Sequence, residues 1–261
     1  MFTLATPILA YHQITTETPP ADLELAMSVD KFAGQMRYLH ENGFVCYSLS
    51  DIFQSSDGKT AQRRRSFALT FDDGYENFYT LACPILRDYG FTATIFLITG
   101  RIFHRDDPRR EADKRYLNWE QVKELDGWNF SFGSHTCSHR NLTSLPRDEI
   151  EAELTASKRF LEDGLGKPVE WLAYPFGESN IEVQKMTEEA GYRAAFGGVR
   201  GRSSQFDVRR QFCRRDDSLA EFSFRLNRFQ HYVQVMRDET ALGQFARKIK
   251  RRLRAAERVK G

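Results

Sequence analysis

The chain has 261 residues, of which 41% are hydrophobic and 28% charged, and its formal net charge is +2. That composition is globular and soluble, large enough for one sizeable α/β core or two small ones, and it excludes a disordered or membrane-spanning chain. The near-neutral balance names no bulk polyionic partner, although the last 17 residues, from Phe245, hold eight Lys/Arg against one Glu. The four cysteines, Cys46, Cys83, Cys137 and Cys213, form no CxxC pair. Buried thiols are therefore expected rather than a disulfide framework. The first residues lack a basic region followed by a long apolar run, so no secretory signal is read and a cytoplasmic location is expected.

Taken in order, short apolar runs alternate with helical patterns. Pro7 to His12 reads as a buried strand. Ser28 caps a helix through about Asn42, with Phe32, Met36 and Leu39 on one face and Gly43 as its stop. Strands follow at Phe44–Tyr47 and Ser66–Phe71, the latter running into Asp-Asp-Gly, then a helix to about Tyr89, then a strand at Phe91–Ile98. Residues 101–117 are polar and read as a surface loop or lid. Asn118, with Gln121 three residues on, opens the next helix as a capping box. Beyond it come a strand at Asn129–Ser134, a helix at Arg147–Leu165, a strand at Glu170–Tyr174, a helix to Ala190 and a strand at Tyr192–Phe196. Two further helices are expected near Leu219–Asn227 and Glu239–Val259. The alternation predicts parallel strands joined by crossover helices, which a barrel and an open doubly wound sheet both satisfy. Neither GxGxxG nor GxxxxGK[ST] occurs, so nucleotide binding has no motif behind it.

Three segments put polar groups at the C-terminal ends of strands, where α/β proteins assemble their sites. They are Thr70-Phe71-Asp72-Asp73-Gly74-Tyr75, Ser134-His135-Thr136-Cys137-Ser138-His139, and Ala173-Tyr174-Pro175-Phe176-Gly177. Alone, each has an ordinary structural reading: a helix N-cap, a polar pair at a helix start, a tight turn. Together they supply carboxylates and two histidines. Histidines four apart on a helical turn face the same way, and two imidazoles plus a carboxylate make a three-donor site with a position left open. The remaining carboxylate can then serve as base toward a water activated near neutral pH, with no serine or cysteine nucleophile required.

In this order, the segments resemble the polysaccharide deacetylase family (carbohydrate esterase family 4, the NodB homology domain). TFDDGY is similar to its first motif, SHTCSH to its second and AYPFG to its third. ILAYHQI, the segment from Ser28 to Phe44, Asn118-Trp119 and Val208-Arg209-Arg210 agree as well, so that the likeness covers roughly residues 6–230. It implies a distorted (β/α) barrel with fewer strands than a regular one, comprising residues 1–235, with residues 236–261 as a basic helical extension. It implies that Asp73, His135 and His139 hold a divalent metal, usually zinc, that Asp72 is the general base, and that the Phe176 N–H helps to stabilise the oxyanion. The implied reaction removes an acetyl or similar acyl group from an amino sugar, polysaccharide or lipid-linked sugar. Two positions depart from the family pattern. The third motif has Ala173 where many members carry an arginine that braces the base, and Arg210 is the expected substitute. The late Leu-x-His histidine is missing, which leaves the acid unassigned among His12, His104 and His231.

Two other functions fit these residues less well. A two-carboxylate glycosidase leaves the histidine pair unexplained. A non-catalytic carbohydrate-binding relative has no need of Asp72 beside a metal triad. For the basic tail, peripheral contact with anionic lipid headgroups stands beside a plain solvated helix, and nucleic acid is disfavoured because no aromatics interleave the cations.

Overall fold

A computed structural model of the chain describes residues 6–17, 25–54, 65–104, 107, 115–198 and 204–226. The strands are β1 (Ile8–Tyr11), β2 (Ile14–Thr15), β3 (Met27–Ser28), β4 (Val45–Cys46), β5 (Ser66–Phe71), β6 (Thr94–Leu97), β7 (Ser131–Ser134), β8 (Trp171–Ala173), β9 (Ala194–Phe196) and β10 (Gln211–Phe212). The α-helices are α1 (Val29–Glu41), α2 (Leu49–Gln54), α3 (Cys83–Asp88), α4 (Trp119–Gly127), α5 (Arg147–Leu165), α6 (Ile181–Glu189) and α7 (Leu219–Arg225). The main sheet runs β10-β1-β5-β6-β7-β8-β9, with β4 on the lower part of β5, and every pairing in it is parallel.

The sheet curls into the distorted barrel expected from the sequence, closed by one divided strand. Val208 bridges Phe196 of β9, with Gly197 N–H donating to Val208 O at 2.9 Å. Three residues later the same segment becomes β10 and pairs with β1. Residues 208–212 thus leave one edge of the sheet and join the other, and Arg210 lies in the seam. This closing segment showed in the sequence only as the Val-Arg-Arg motif, because it forms two short ladders with different partners rather than one alternating run.

Side-chain alternation divides the apolar residues into two clusters. Ile8, Ala68, Phe96, Trp171, Ala173, Ala194 and Phe196 point into the barrel, where Leu49 and Ile52 of α2 join them. The residues between them, among them Leu9, Leu69, Ile95, Leu172 and Ala195, point outward under the helices. The interior is packed tightly enough to dictate residue size. A Cβ on Gly133 would lie 2.5 Å from the Phe96 ring and 2.9 Å from Trp171 O, so only glycine lets that ring fill the barrel.

Helix boundaries follow local chemistry. Ser28 accepts from Lys31 N–H to cap α1, the Asn118/Gln121 capping box is formed, and Gly166 ends α5 at φ 68°. The helix expected between Gly74 and Tyr89 is broken into a π-turn at Phe78–Ala82 and then α3. Pro84, at the start of α3, has no N–H to give to the preceding turn. The four cysteines are free thiols, buried or half-buried, as expected. No helix among the described residues is long and apolar enough to cross a membrane. The Glu239–Val259 helix, His231 and the division between residues 235 and 236 lie outside the described residues.

Candidate functional site

The inward period of β5 runs Ala68, Thr70, Asp72, so the last strand position drops a carboxylate into the barrel mouth. Asp72 extends the ladder by one step, donating its N–H to Tyr11 O at 2.9 Å. At Asp73 the backbone swings to φ 71°, a left-handed conformation that Asp adopts more readily than most residues, and Gly74 follows at φ 74°. A Cβ on Gly74 would also meet Leu97 Cδ2 at 2.7 Å. The two neighbouring carboxylates therefore diverge into different environments.

Asp72 is buried, and both of its oxygens accept from the Arg210 guanidinium, at 2.6 and 2.8 Å. Arg210 is itself fully buried, donates to Thr70 Oγ1 at 3.2 Å, and lies between the Phe96 and Phe212 rings at 5.4 and 5.5 Å from their centroids. Burial alone would raise the Asp72 pKa. The Arg210 charge, helped by His135 and His12, more than offsets it and holds the carboxyl well below the usual range. The charge paired with Asp72 thus comes from Arg210 of the closing segment rather than from position 173.

Asp73 Oδ1 lies 3.5 Å from His135 Nε2 and 3.4 Å from His139 Nε2, and the three donor atoms fall within 4.8 Å of one another. Tetrahedral ligands about 2.0–2.1 Å from an ion sit roughly 3.3–3.4 Å apart, so this N/O donor set fits a divalent metal. His135 Nδ1 is 2.7 Å from Ala173 O, a contact that puts the proton on Nδ1 and leaves Nε2 as the ligand atom.

The histidine pair is not carried on a helical turn, contrary to the reading of the spacing. Residues 135–141 form an irregular loop in which Thr136 (φ 64°) and His139 (φ 61°) are both left-handed. Such conformations cost about 1 kcal/mol or more each for non-glycine residues and persist where the surroundings over-determine them. Here Ser134 Oγ accepts from Thr136 N–H at 3.0 Å, Thr136 Oγ1 from His139 N–H at 3.1 Å, and Thr136 O from Thr99 N–H at 3.0 Å. Gly100 N–H reaches Cys137 O at 2.9 Å, in a gap where any Cβ would lie 2.6 Å from that oxygen. From α5, the buried Glu153 accepts from Cys137 N–H at 2.8 Å and Ser138 N–H at 3.0 Å with one oxygen, and from the Ser138 hydroxyl with the other. Burial would raise its pKa, but these donors and Arg140 pull it below the usual value.

Sequence reading passed over Glu153, although a signal was available: it is the charged member of the inward stripe Ile150, Glu153, Leu154, Ser157, Leu161.

His12, at the end of β1, does belong to the site. Its Nε2 is 3.7 Å from Asp72 Oδ2, and burial lowers its pKa against the pull of Asp72 and Asp73. Its Nδ1 is buried and has no hydrogen-bond partner among the described residues. His104 is elsewhere, paired with Glu120 at 3.0 Å on the surface. Phe176 adopts φ 60° in the turn after β8, with its ring largely exposed and 4.9 Å from the His139 ring.

Comparison with known proteins points to one family. The family model described as "Polysaccharide deacetylase" matches residues 59–195. YxkH of Bacillus subtilis (strain 168) is 31% identical over 189 residues, 72% of this chain and 62% of its own length. A poly-beta-1,6-N-acetyl-D-glucosamine N-deacetylase of Staphylococcus aureus (strain MRSA252) is 27% identical over 188 residues, 66% of this chain and 60% of its own length. The chain thus spans about three fifths of these curated relatives. Among solved structures, the Streptococcus pyogenes deacetylase PplD superposes with a TM-score of 0.76 at 24% identity, over 85% of this chain and 97% of that one. The Bacillus cereus polysaccharide deacetylase BC0361 gives 0.71 at 26%, over 85% and 68%. Arg210 and His12 both lie outside the matched range; Arg210 reaches the site through the closing segment, and His12 from the end of β1, which pairs with β5. The matched range covers more than half of the chain and includes all three motifs that meet at the barrel mouth, so this chain belongs to the polysaccharide deacetylase family.

Proposed function

We propose that the chain is a metal-dependent hydrolase that removes an acetyl or similar acyl group from an amino sugar within a polysaccharide or lipid-linked sugar. The observation that carries this reading is the pair of neighbouring carboxylates with separate duties: Asp72 locked on Arg210, and Asp73 aimed at two histidine nitrogens. Asp73, His135 and His139 would hold the metal, with zinc the favoured ion for this N/O set. When bound, such an ion polarises the acyl carbonyl and makes a water acidic enough to attack near neutral pH.

The chain's own groups account for the proton. Asp72 is kept ionised and oriented by Arg210, so it is ready to accept the proton of the attacking water. A carboxylate held this low is a poor resting place for that proton. His12 Nε2, 3.7 Å from Asp72 Oδ2, is the neighbouring base that can take it and deliver it to the departing amine. Burial keeps His12 neutral at rest, as a group waiting for a proton should be. The Phe176 N–H is assigned to the oxyanion of the tetrahedral intermediate, since the exposed Phe176 ring lies against His139 and keeps this turn beside the metal ligands. Both protons of the water are accounted for, one passing to the departing nitrogen by this route and the other leaving the new carboxyl group, so the products at neutral pH are a carboxylate and a protonated amino sugar.

A non-catalytic sugar-binding role is disfavoured by Asp72 and Arg210. Burying an ion pair is expensive, and a binder would gain nothing from one directed at an acidic metal site. The test is acetate release from N-acetylated amino sugars, oligosaccharides and lipid-linked sugars. The zinc-loaded protein is expected to release acetate, and a chelated sample and Asp72→Asn are expected to lose at least 100-fold. Equal release by Asp72→Asn would remove Asp72 from the reaction.

A further inference from the structure

The loop from His135 to His139 holds two left-handed residues and no regular secondary structure, yet it must present two imidazoles with their nitrogens 3.4–3.5 Å from one carboxylate oxygen. Hydroxyl groups within the loop tie its backbone locally. The backbone of the loop is also held from another element by the carboxylate of Glu153, in the middle of α5. Its Oε2 accepts from two consecutive amides, those of Cys137 and Ser138, and its Oε1 from Ser138 Oγ and, at 3.4 Å, from Arg140 Nη2. Arg140 in turn is fixed by Glu149, one helical turn before Glu153. The acceptor spans the loop between its two ligands, and it comes from a 19-residue helix packed on the core through Ile150, Leu154 and Leu161. A carboxylate in an inward helical stripe is otherwise costly to bury.

We infer that Glu153 is a positioning residue for the metal site: it clamps the Cys137–Ser138 amides to α5, fixes the distance between His135 and His139, and so sets the affinity for the metal. This inference rests on the reading of Asp73, His135 and His139 as a metal site. It predicts a division of labour in which Glu153 touches neither metal nor substrate and acts wholly through the loop.

The test is zinc affinity of the metal-free, folded protein, measured by competition with a chromophoric chelator, beside its thermal melt. Glu153→Ala is expected to weaken zinc binding by about 10–100-fold. Glu153→Gln retains an oxygen for the two amides but sets an NH2 against Ser138 Oγ and Arg140, so it is expected to weaken binding only severalfold. Leu161→Ala, which opens a cavity on the same helix, is expected to lower the melting temperature and leave zinc affinity unchanged. Wild-type affinity in Glu153→Ala, or a loss no larger than that caused by Leu161→Ala, overturns the inference while leaving the metal site intact. Should Glu153→Ala not fold, Glu153→Gln decides, and wild-type affinity in it overturns the inference. Failure of the wild-type chain itself to bind zinc would instead overturn the metal reading, and this inference with it.

Discussion

Asp72 and Asp73 are adjacent in sequence, but the turn between them gives one to an arginine and the other to two histidines. At Asp72 the arginine charge outweighs the cost of burial. Its folded-state pKa is depressed below the unfolded value of about 3.9, so the stability it contributes is fully present above that value and is lost as pH falls from there through the lower folded-state pKa. Arg210→Met removes the opposing charge and leaves burial to raise the Asp72 pKa. Turnover is then expected to fall on the order of 100-fold, and the acid limb of kcat/KM to move to higher pH. Folding stability, measured by urea unfolding at neutral pH, should drop by about 3–5 kcal/mol, the usual penalty for stranding a buried charge. An acid limb that stayed in place would mean that Arg210 does not govern Asp72. The residues of this site were legible in sequence as chemistry, because acids and histidines at strand ends are poorly explained by packing. Glu153 and the role of His12 were not, since each depends on which element packs beside it.

At the scale of elements, the strands showed through their β-branched and aromatic runs, and the caps at Ser28 and Asn118 through single polar residues. What the sequence pattern missed was geometry set by neighbours. The histidine spacing looked helical, but Thr136 and His139 take left-handed conformations that only the surrounding hydrogen bonds make tolerable. Pro84 broke an apparently continuous helix, and the closing strand was hidden by being split between β9 and β1. Two substitutions probe this level. Gly133→Ala would press a methyl group against the Phe96 ring and the β8 backbone, and is expected to cost about 1–3 kcal/mol by urea unfolding. Asn118→Ala removes the cap accepting from Gln121 N–H and is expected to cost about 1 kcal/mol. Wild-type stability in Gly133→Ala would show that the barrel interior has room to spare.

For the molecule as a whole, the barrel is a device for convergence. Groups from β1, β5, the loops after β7 and β8, and the closing segment meet at one mouth, although His12 and Arg210 are separated by almost 200 residues. The basic tail, residues 245–261, lies outside the described residues, and its contact with anionic lipid is proposed from its cations together with Ile249, Leu253, Ala256 and Val259 at helical spacing. In co-sedimentation with vesicles containing phosphatidylserine, the full chain is expected to partition more strongly than one ending at Gly243. Equal partitioning would remove the membrane contact and favour a soluble substrate.

Asp73, His135 and His139 are proposed to form one metal site. Calorimetric titration of the metal-free protein with zinc tests it most directly: one equivalent is expected to bind tightly, and binding is expected to be lost in Asp73→Ala with the fold intact. Zinc uptake by Asp73→Ala equal to that of the wild-type chain, or none by either, would contradict it.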